Sequence, residues 1–167
     1  LTHRFPPKTN VPGEPLMEVK NLTGKYMPSC IDVNFELRKG EILGVAGLVG
    51  SRRTELLETI FGIANHETGE ILKNGQPIQN KTPKDAIRNG FAMLTEERRA
   101  TGIFGILSIR ENTVISSLKR HLKAGVWLNE KSMKEDTQRY IEAMRTKTPT
   151  QETKIRSLSG GNQQKVI

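Results

Sequence analysis

Two stretches of this 167-residue chain carry residue types suited to holding phosphate. The first is Gly47-Leu48-Val49-Gly50-Ser51-Arg52-Arg53-Thr54, followed by Glu55. Successive backbone N–H groups turning into a helix N-terminus create a positive potential that attracts anions. The usual loop of this kind reads G-x-x-x-x-G-K-[ST]. Here Gly47 and the Thr54 hydroxyl remain, while Arg52 replaces the second glycine and Arg53 the lysine. A left-handed Arg52 costs roughly 1–2 kcal/mol and brings bulk to the loop. Arg53 keeps the charge, but its planar fork differs from a compact ammonium. Thr54 retains a hydroxyl able to coordinate Mg²⁺. Glu55 places an anion where phosphate would lie. Gly47 to Glu55 is therefore a nucleotide-binding candidate on which efficient hydrolysis is not expected. The same residues also make an ordinary glycine turn joining a strand to a helix.

The second stretch is Leu158-Ser159-Gly160-Gly161-Asn162-Gln163-Gln164-Lys165. Two adjacent glycines expose backbone N–H groups at a helix start, and Ser159 adds a hydroxyl donor. Such a surface suits a phosphate group. A plain glycine-rich helix start is the bland alternative.

The elements that must position these stretches follow from periodicity. Leu16–Lys20 reads as a short edge strand. Ile31–Leu37 alternates apolar and polar strictly, as a half-buried strand does. Lys39-Gly40 is a turn, and Glu41–Gly47 is nearly all apolar, as a buried parallel strand should be. The helix Thr54–Phe61 carries Leu56, Leu57, Ile60 and Phe61 on one face and stops at Gly62. Gly69–Lys73, Asn74-Gly75 and Gln76–Ile78 form a hairpin, whose Pro77 marks an edge strand. Thr82 caps a short helix to Gly90, and Phe91–Leu94 is another apolar strand. Beyond it the pattern turns helical. Ser108–Glu111 is a capping box opening a helix to about Leu118. Asn129 caps a second helix with Met133, Tyr140, Ile141 and Met144 as its apolar positions. Residues 1–15 hold four of the eight prolines and read as a linker.

Composition limits what these elements can be. Lys+Arg 26 against Asp+Glu 18 gives +8, which fits nucleic acid, an anionic membrane surface, a phosphate ligand or simple solubility. Aromatics are only 5%, without basic interleaving, which argues against nucleic acid. The 35% hydrophobic content suits a globular domain, and no apolar run of about 18 residues exists to span a membrane. No leader pattern signals secretion. The lone Cys30 excludes an intrachain disulfide and fits a reducing compartment. His3, His66 and His121 lie outside any catalytic context and read as surface residues.

The L-S-G-G-N stretch resembles the signature motif of ATP-binding-cassette (ABC) ATPases. The resemblance covers about residues 10 to 167. It is strongest to the second, C-terminal nucleotide-binding half of the tandem ATPases of bacterial monosaccharide importers. That half carries G-L-V-G-x-x-R-T-[DE], and Gly47 to Glu55 read GLVGSRRTE. Leu94-Thr95-Glu96-Glu97-Arg98-Arg99 and Thr101-Gly102-Ile103 are similar to the same family. RFPPK…PGEPLMEVKNLT and Met144–Pro149 before SLSGGNQQKVI point to its galactose/methyl-galactoside branch.

The resemblance implies an α/β, P-loop-type ABC ATPase domain in partial form. It would comprise a linker over 1–15, a β-rich phosphate-loop core over 16–104 with an antiparallel subdomain and a truncated core sheet, and a helical signature subdomain over 105–167. It implies ATP and Mg²⁺ as cofactors, with Thr54 and Glu96 near the metal, Glu96 standing at the usual Q-loop glutamine. Tyr26 falls near the adenine-stacking position, with a packing or surface role as its alternative. Leu158, Ser159, Gly160, Gly161, Asn162 and Gln163 would complete, in trans, the ATP site of the first half. The implied partners are the N-terminal ATPase half, membrane permease subunits and, indirectly, a periplasmic sugar-binding protein, at the cytoplasmic face of the inner membrane. The Walker B carboxylate and switch histidine follow the signature in this family, so this stretch alone is expected not to hydrolyse ATP. A non-catalytic interaction or regulatory module and a basic nucleic-acid-binding domain are the competing readings.

Overall fold

A computed structural model describes residues 9–167. The first part of the expected linker, with His3, lies outside the described residues. The chain divides into one unit ending at Met93 and a second over Leu94–Ile167.

The first unit is built on a four-stranded antiparallel sheet. Strands β1 (Pro15–Gly24), β2 (Val33–Arg38), β3 (His66–Lys73) and β4 (Gln76–Ile78) lie in the order β2-β1-β3-β4. The expectation that the first strand is an edge is corrected: β1 is paired on both sides. Met17 and Val19 point into the core, and a register shift before Leu22 restores that residue to the buried side. Asn21, with φ 50, absorbs the extra residue, which is the work of a β-bulge. The alternation of β2 holds, with Val33, Phe35 and Leu37 packed toward the core. Lys73 faces Gln76 across Asn74-Gly75, both at positive φ, as a two-residue hairpin requires. Residues 10–14 tie back to the end of β2, Gly13 N–H donating to the Lys39 carbonyl at 2.9 Å.

Helix α1 (Arg53–Phe61) lays Leu56 and Ile60 on this sheet and ends at a left-handed Gly62. Its inner face differs from the expected one. Leu57 is 48% exposed, and Thr59 is buried in its place. Positions 56, 59 and 60 share a helical face, whereas 57 lies about 100° away. The Thr59 hydroxyl is satisfied by donating to the Glu55 carbonyl at 2.7 Å, so its burial leaves no polar group unpaired. Helix α2 (Pro83–Arg88) has the expected Thr82 cap, completed by Asp85 into a capping box.

Two expected strands do not form. Among the described residues, Glu41–Gly47 joins no ladder, and Ile42 is 93% exposed. Phe91–Leu94 is likewise unpaired, although Phe91 packs against the sheet core. An apolar run reports a demand for burial on both faces; it does not supply the neighbours that would meet it.

The second unit is helical. Helix α3 (Ile109–Val114) opens on the expected capping box, with the Ser108 hydroxyl and Glu111 carboxylate 2.7 Å apart. A 3₁₀ segment, Ile115–His121, continues the chain where a longer helix is expected. A small hairpin follows, β5 (Leu122–Lys123) and β6 (Trp127–Leu128). Asn129 then caps α4 (Glu130–Ala143) by accepting from the Ser132 N–H. Helix α5 (Gly160–Val166) closes the unit. Ile109, Val114, Met133 and Ile155 are buried here. Tyr140 and Met144, expected on the inner face of α4, are about half exposed, and Thr137 is fully buried with its hydroxyl on the Met133 carbonyl. His121 is also buried, at 2% exposure, which corrects its reading as a surface residue. None of the described helices is long and apolar enough to cross a membrane.

Candidate nucleotide-contacting segments

In the first unit, Gly47 to Glu55 do form a compact loop that turns into α1. Gly47 must lack a side chain, because a Cβ there would lie 2.2 Å from the Ser51 hydroxyl. Ser51 N–H closes a turn on the Leu48 carbonyl at 3.1 Å, and Gly50 has φ 87. Leu48 and Val49 are exposed, Val49 completely. Arg52 adopts the left-handed conformation, φ 64 and ψ 28, as the residue before the helix. That is the conformation for which glycine is ordinarily used.

Arg52 does not leave its charge free. Its Nη1 donates to Glu55 Oε1 at 2.9 Å. The Glu55 carboxyl is held below its ordinary value, first by a backbone N–H bond at its own position and then by the Arg52 bond. The loop thus supplies its own anion at the helix start. A triphosphate would have to compete with that carboxylate, so these residues do not fit a tightly held Mg-nucleotide. Thr54 lies within the first turn of α1, and Tyr26 sits outside any strand, 69% exposed with Lys25 5.6 Å from its ring centroid. Among the described residues, no group of three or more His, Cys, Asp or Glu side chains could hold a metal.

In the second unit, Leu158 to Gln163 divide into an outer and an inner set. Ser159 precedes α5 and is exposed, and Gly161 is open, with no atom within 4 Å of a Cβ placed there. Asn162 braces the turn. Its amide donates to the Ser159 hydroxyl at 3.2 Å and its oxygen accepts from Lys147 N–H at 3.1 Å. Gln163 points inward at 3% exposure, its amide donating to the Ile155 and Leu158 carbonyls at 3.2 and 3.1 Å. Leu158 is half-buried. Ser159 and Gly161 therefore offer donors to an external anion, while Gln163 and Asn162 fix the loop that presents them.

One contact of this segment, with Arg98, is not foreshadowed by the residues on either side of it. A Cβ at Gly160 would lie 3.1 Å from Arg98 Nη2, so that guanidinium rests on the glycine. Arg98 Nε is buried and without a hydrogen-bond partner. Arg98 belongs to a single π-type turn, Arg98–Gly102, that follows the exposed Glu96. No periodicity announces such a contact, because it joins residues more than sixty positions apart through the absence of one side chain.

Comparison with known proteins adds the following. A family described as ABC transporter matches residues 30–167. The galactose/methyl galactoside import ATP-binding protein MglA of Fusobacterium nucleatum is 57% identical over all 167 residues, which span 33% of that protein. The protein of the same name from Haemophilus influenzae is 56% identical over the same span. The chain thus spans about a third of the length of the curated relatives it matches. Among solved structures, the ADP conformation of MJ1267, an ATP-binding cassette of an ABC transporter, superposes with a TM-score of 0.72. It is 19% identical and the match covers 92% of this chain and 63% of that one. At that identity the likeness speaks for the fold, which mixes the antiparallel sheet and the helical unit described above.

Proposed function

The chain belongs to the ABC transporter family, and from that premise we propose that it is the second, C-terminal nucleotide-binding half of a sugar importer's ATP-binding subunit. The type is galactose/methyl galactoside, in keeping with relatives 52–57% identical along the whole chain. In this reading residues 1–15 link the two halves, 16–104 carry the phosphate-loop core and 105–167 the signature subdomain.

The observation that carries the reading is the open start of α5, where Ser159 and Gly161 offer donors that no other described group uses. These residues complete the productive ATP site on the first half. The loop Gly47–Glu55 lines the other site, which is structural or weakly nucleotide-bound, because Arg52 and Glu55 satisfy each other there. ATP chemistry at the productive site is positioning plus electrostatic stabilisation of the γ-phosphate. Turnover in this reading belongs to the complete tandem protein, of whose relatives this chain spans about a third. The first half, the permease subunits and a periplasmic sugar-binding protein are its partners at the cytoplasmic face of the inner membrane.

The test compares two substitutions in the complete tandem protein with its permease. Ser159→Arg blocks the donor surface and should reduce ATP turnover at least a hundredfold. Arg53→Ala touches only the self-satisfied loop and should change turnover less than threefold. The reverse ranking, or normal turnover by the 167-residue chain alone, overturns the reading.

A further inference from the structure

The hairpin β5–β6 in the second unit has no part in the nucleotide chemistry, yet it is built with care. Residues 115–129, ISSLKRHLKAGVWLN, contain Lys119, Arg120 and Lys123 and no acidic residue. Its tip is apolar: Val126 is 71% exposed, Trp127 74% and Leu128 48%. Successive strand residues point to opposite faces. Trp127 and Leu128 are both exposed, so neither face of β6 is covered by the unit. A tryptophan left in water on a projecting hairpin marks a surface that meets something else.

The base of this hairpin is anchored firmly. His121 is buried, and its Nδ1 lies 3.0 Å from the Ser132 hydroxyl at the start of α4. Asn129 N–H donates to the His121 carbonyl at 2.7 Å, closing the hairpin below Leu122 and Leu128. The same Asn129 caps α4. The tip, by contrast, turns through Ala124 and Gly125, both at positive φ. A rigid root and a short apolar tip make a fixed projection.

We propose that this hairpin docks on an anionic lipid surface, with Val126, Trp127 and Leu128 entering the headgroup boundary. Lys119, Arg120 and Lys123 would face the phosphates. Tryptophan favours this boundary because its ring is apolar and its N–H polar. Lys123 lies directly across the ladder from Trp127, and its aliphatic stem can follow the ring inward while the ammonium stays at headgroup level. Apolar insertion and cationic attraction together give reversible binding where either alone is weak. The charge sign selects an anionic partner, and the tip Ala124–Leu128 has only the Trp127 N–H with which to read a protein sequence. That favours a fluid, unspecific surface over a peptide groove.

Trp127 is the only tryptophan in the chain, so its emission reports on this site alone. Vesicles of equal parts phosphatidylglycerol and phosphatidylcholine should shift that emission to the blue and co-sediment the chain. Pure phosphatidylcholine should do neither, and high salt should reverse the binding. The triple change Lys119→Glu, Arg120→Glu and Lys123→Glu should weaken binding more than a hundredfold, at roughly fivefold or more per cation. Val126→Ser with Leu128→Ser should remove most of the shift. All five positions are exposed, and far-UV circular dichroism checks that the variants fold. Three results would overturn the proposal: unchanged emission on anionic vesicles, undiminished binding by the triple variant, or a shift produced by an acidic peptide while vesicles remain inert.

Discussion

Arg52 and Glu55 face each other across 2.9 Å at the first turn of α1, and each explains the other. The guanidinium offsets the carboxylate that sits at the loop, and the carboxylate gives the left-handed arginine a partner. The pair is open to solvent, where water and salt screen the attraction, so it adds little stability. The pair therefore fixes local geometry more than it stabilises the unit.

This pairing predicts how nucleotide binding responds to repair of the loop. Arg52→Gly alone relieves the strained backbone but leaves Glu55 unscreened, so Mg-ATP affinity should not rise. Arg52→Gly with Glu55→Ser removes the internal anion as well and should raise affinity at least tenfold. Isothermal titration of the two variants against the unchanged chain measures both. A gain from Arg52→Gly by itself would mean that bulk, and not the carboxylate, is what obstructs the loop.

A second prediction concerns Gly160. A methyl there meets only the far end of Arg98, a long side chain that can move aside. Gly160→Ala should therefore change thermal stability by less than about 1 kcal/mol. In the complete tandem protein the same change should lower ATP turnover, because the displaced guanidinium would shift across the Ser159–Gly161 surface. Pairing it with Arg98→Ala should restore part of the turnover. If stability and turnover fall together, Gly160 matters for folding alone.

The third prediction is a pH dependence. Glu111 is held below its ordinary value of 4.5, chiefly by the backbone N–H of Ser108 and then by the Ser108 hydroxyl. A carboxyl depressed in the folded state contributes stability above its unfolded value and loses it as pH falls through the folded one. Glu111→Gln keeps a capping oxygen but loses the charge at the helix start, and should cost roughly 0.3–1 kcal/mol at pH 7. The difference from the unchanged chain should shrink below pH 4.5. Thermal melts at neutral and acid pH measure it, and a difference that grows in acid would contradict the assignment.

What could be read in advance tracks the range over which each feature is determined. The Asn74-Gly75 turn, the alternation of Val33 to Leu37 and the Ser108–Glu111 box are decided within a few residues, and each is present. Leu57 was misplaced because apolar character outweighed angle, while Thr59 met its hydrogen bond inside the helix. His121 gave no local signal, since its burial depends on Ser132 and Asn129 in the next element. Gln163 reads as part of a surface motif but serves the carbonyls beneath it. Arg98 against Gly160 was the least legible contact, because nothing in either sequence neighbourhood refers to the other.

The stretch Glu41–Gly47, outside any ladder, is expected to set how the chain behaves in concentrated solution. Apart from the Glu41 N–H, which donates to the Arg38 carbonyl at 3.1 Å, its backbone joins no ladder, and Ile42, Leu43 and Val45 are exposed beside it. Seven residues with this profile can template strands from other copies, which is how amorphous precipitates and fibrils begin. Handling should therefore favour low protein concentration and cold storage, and a charged residue placed at Val45 is a direct way to blunt the edge.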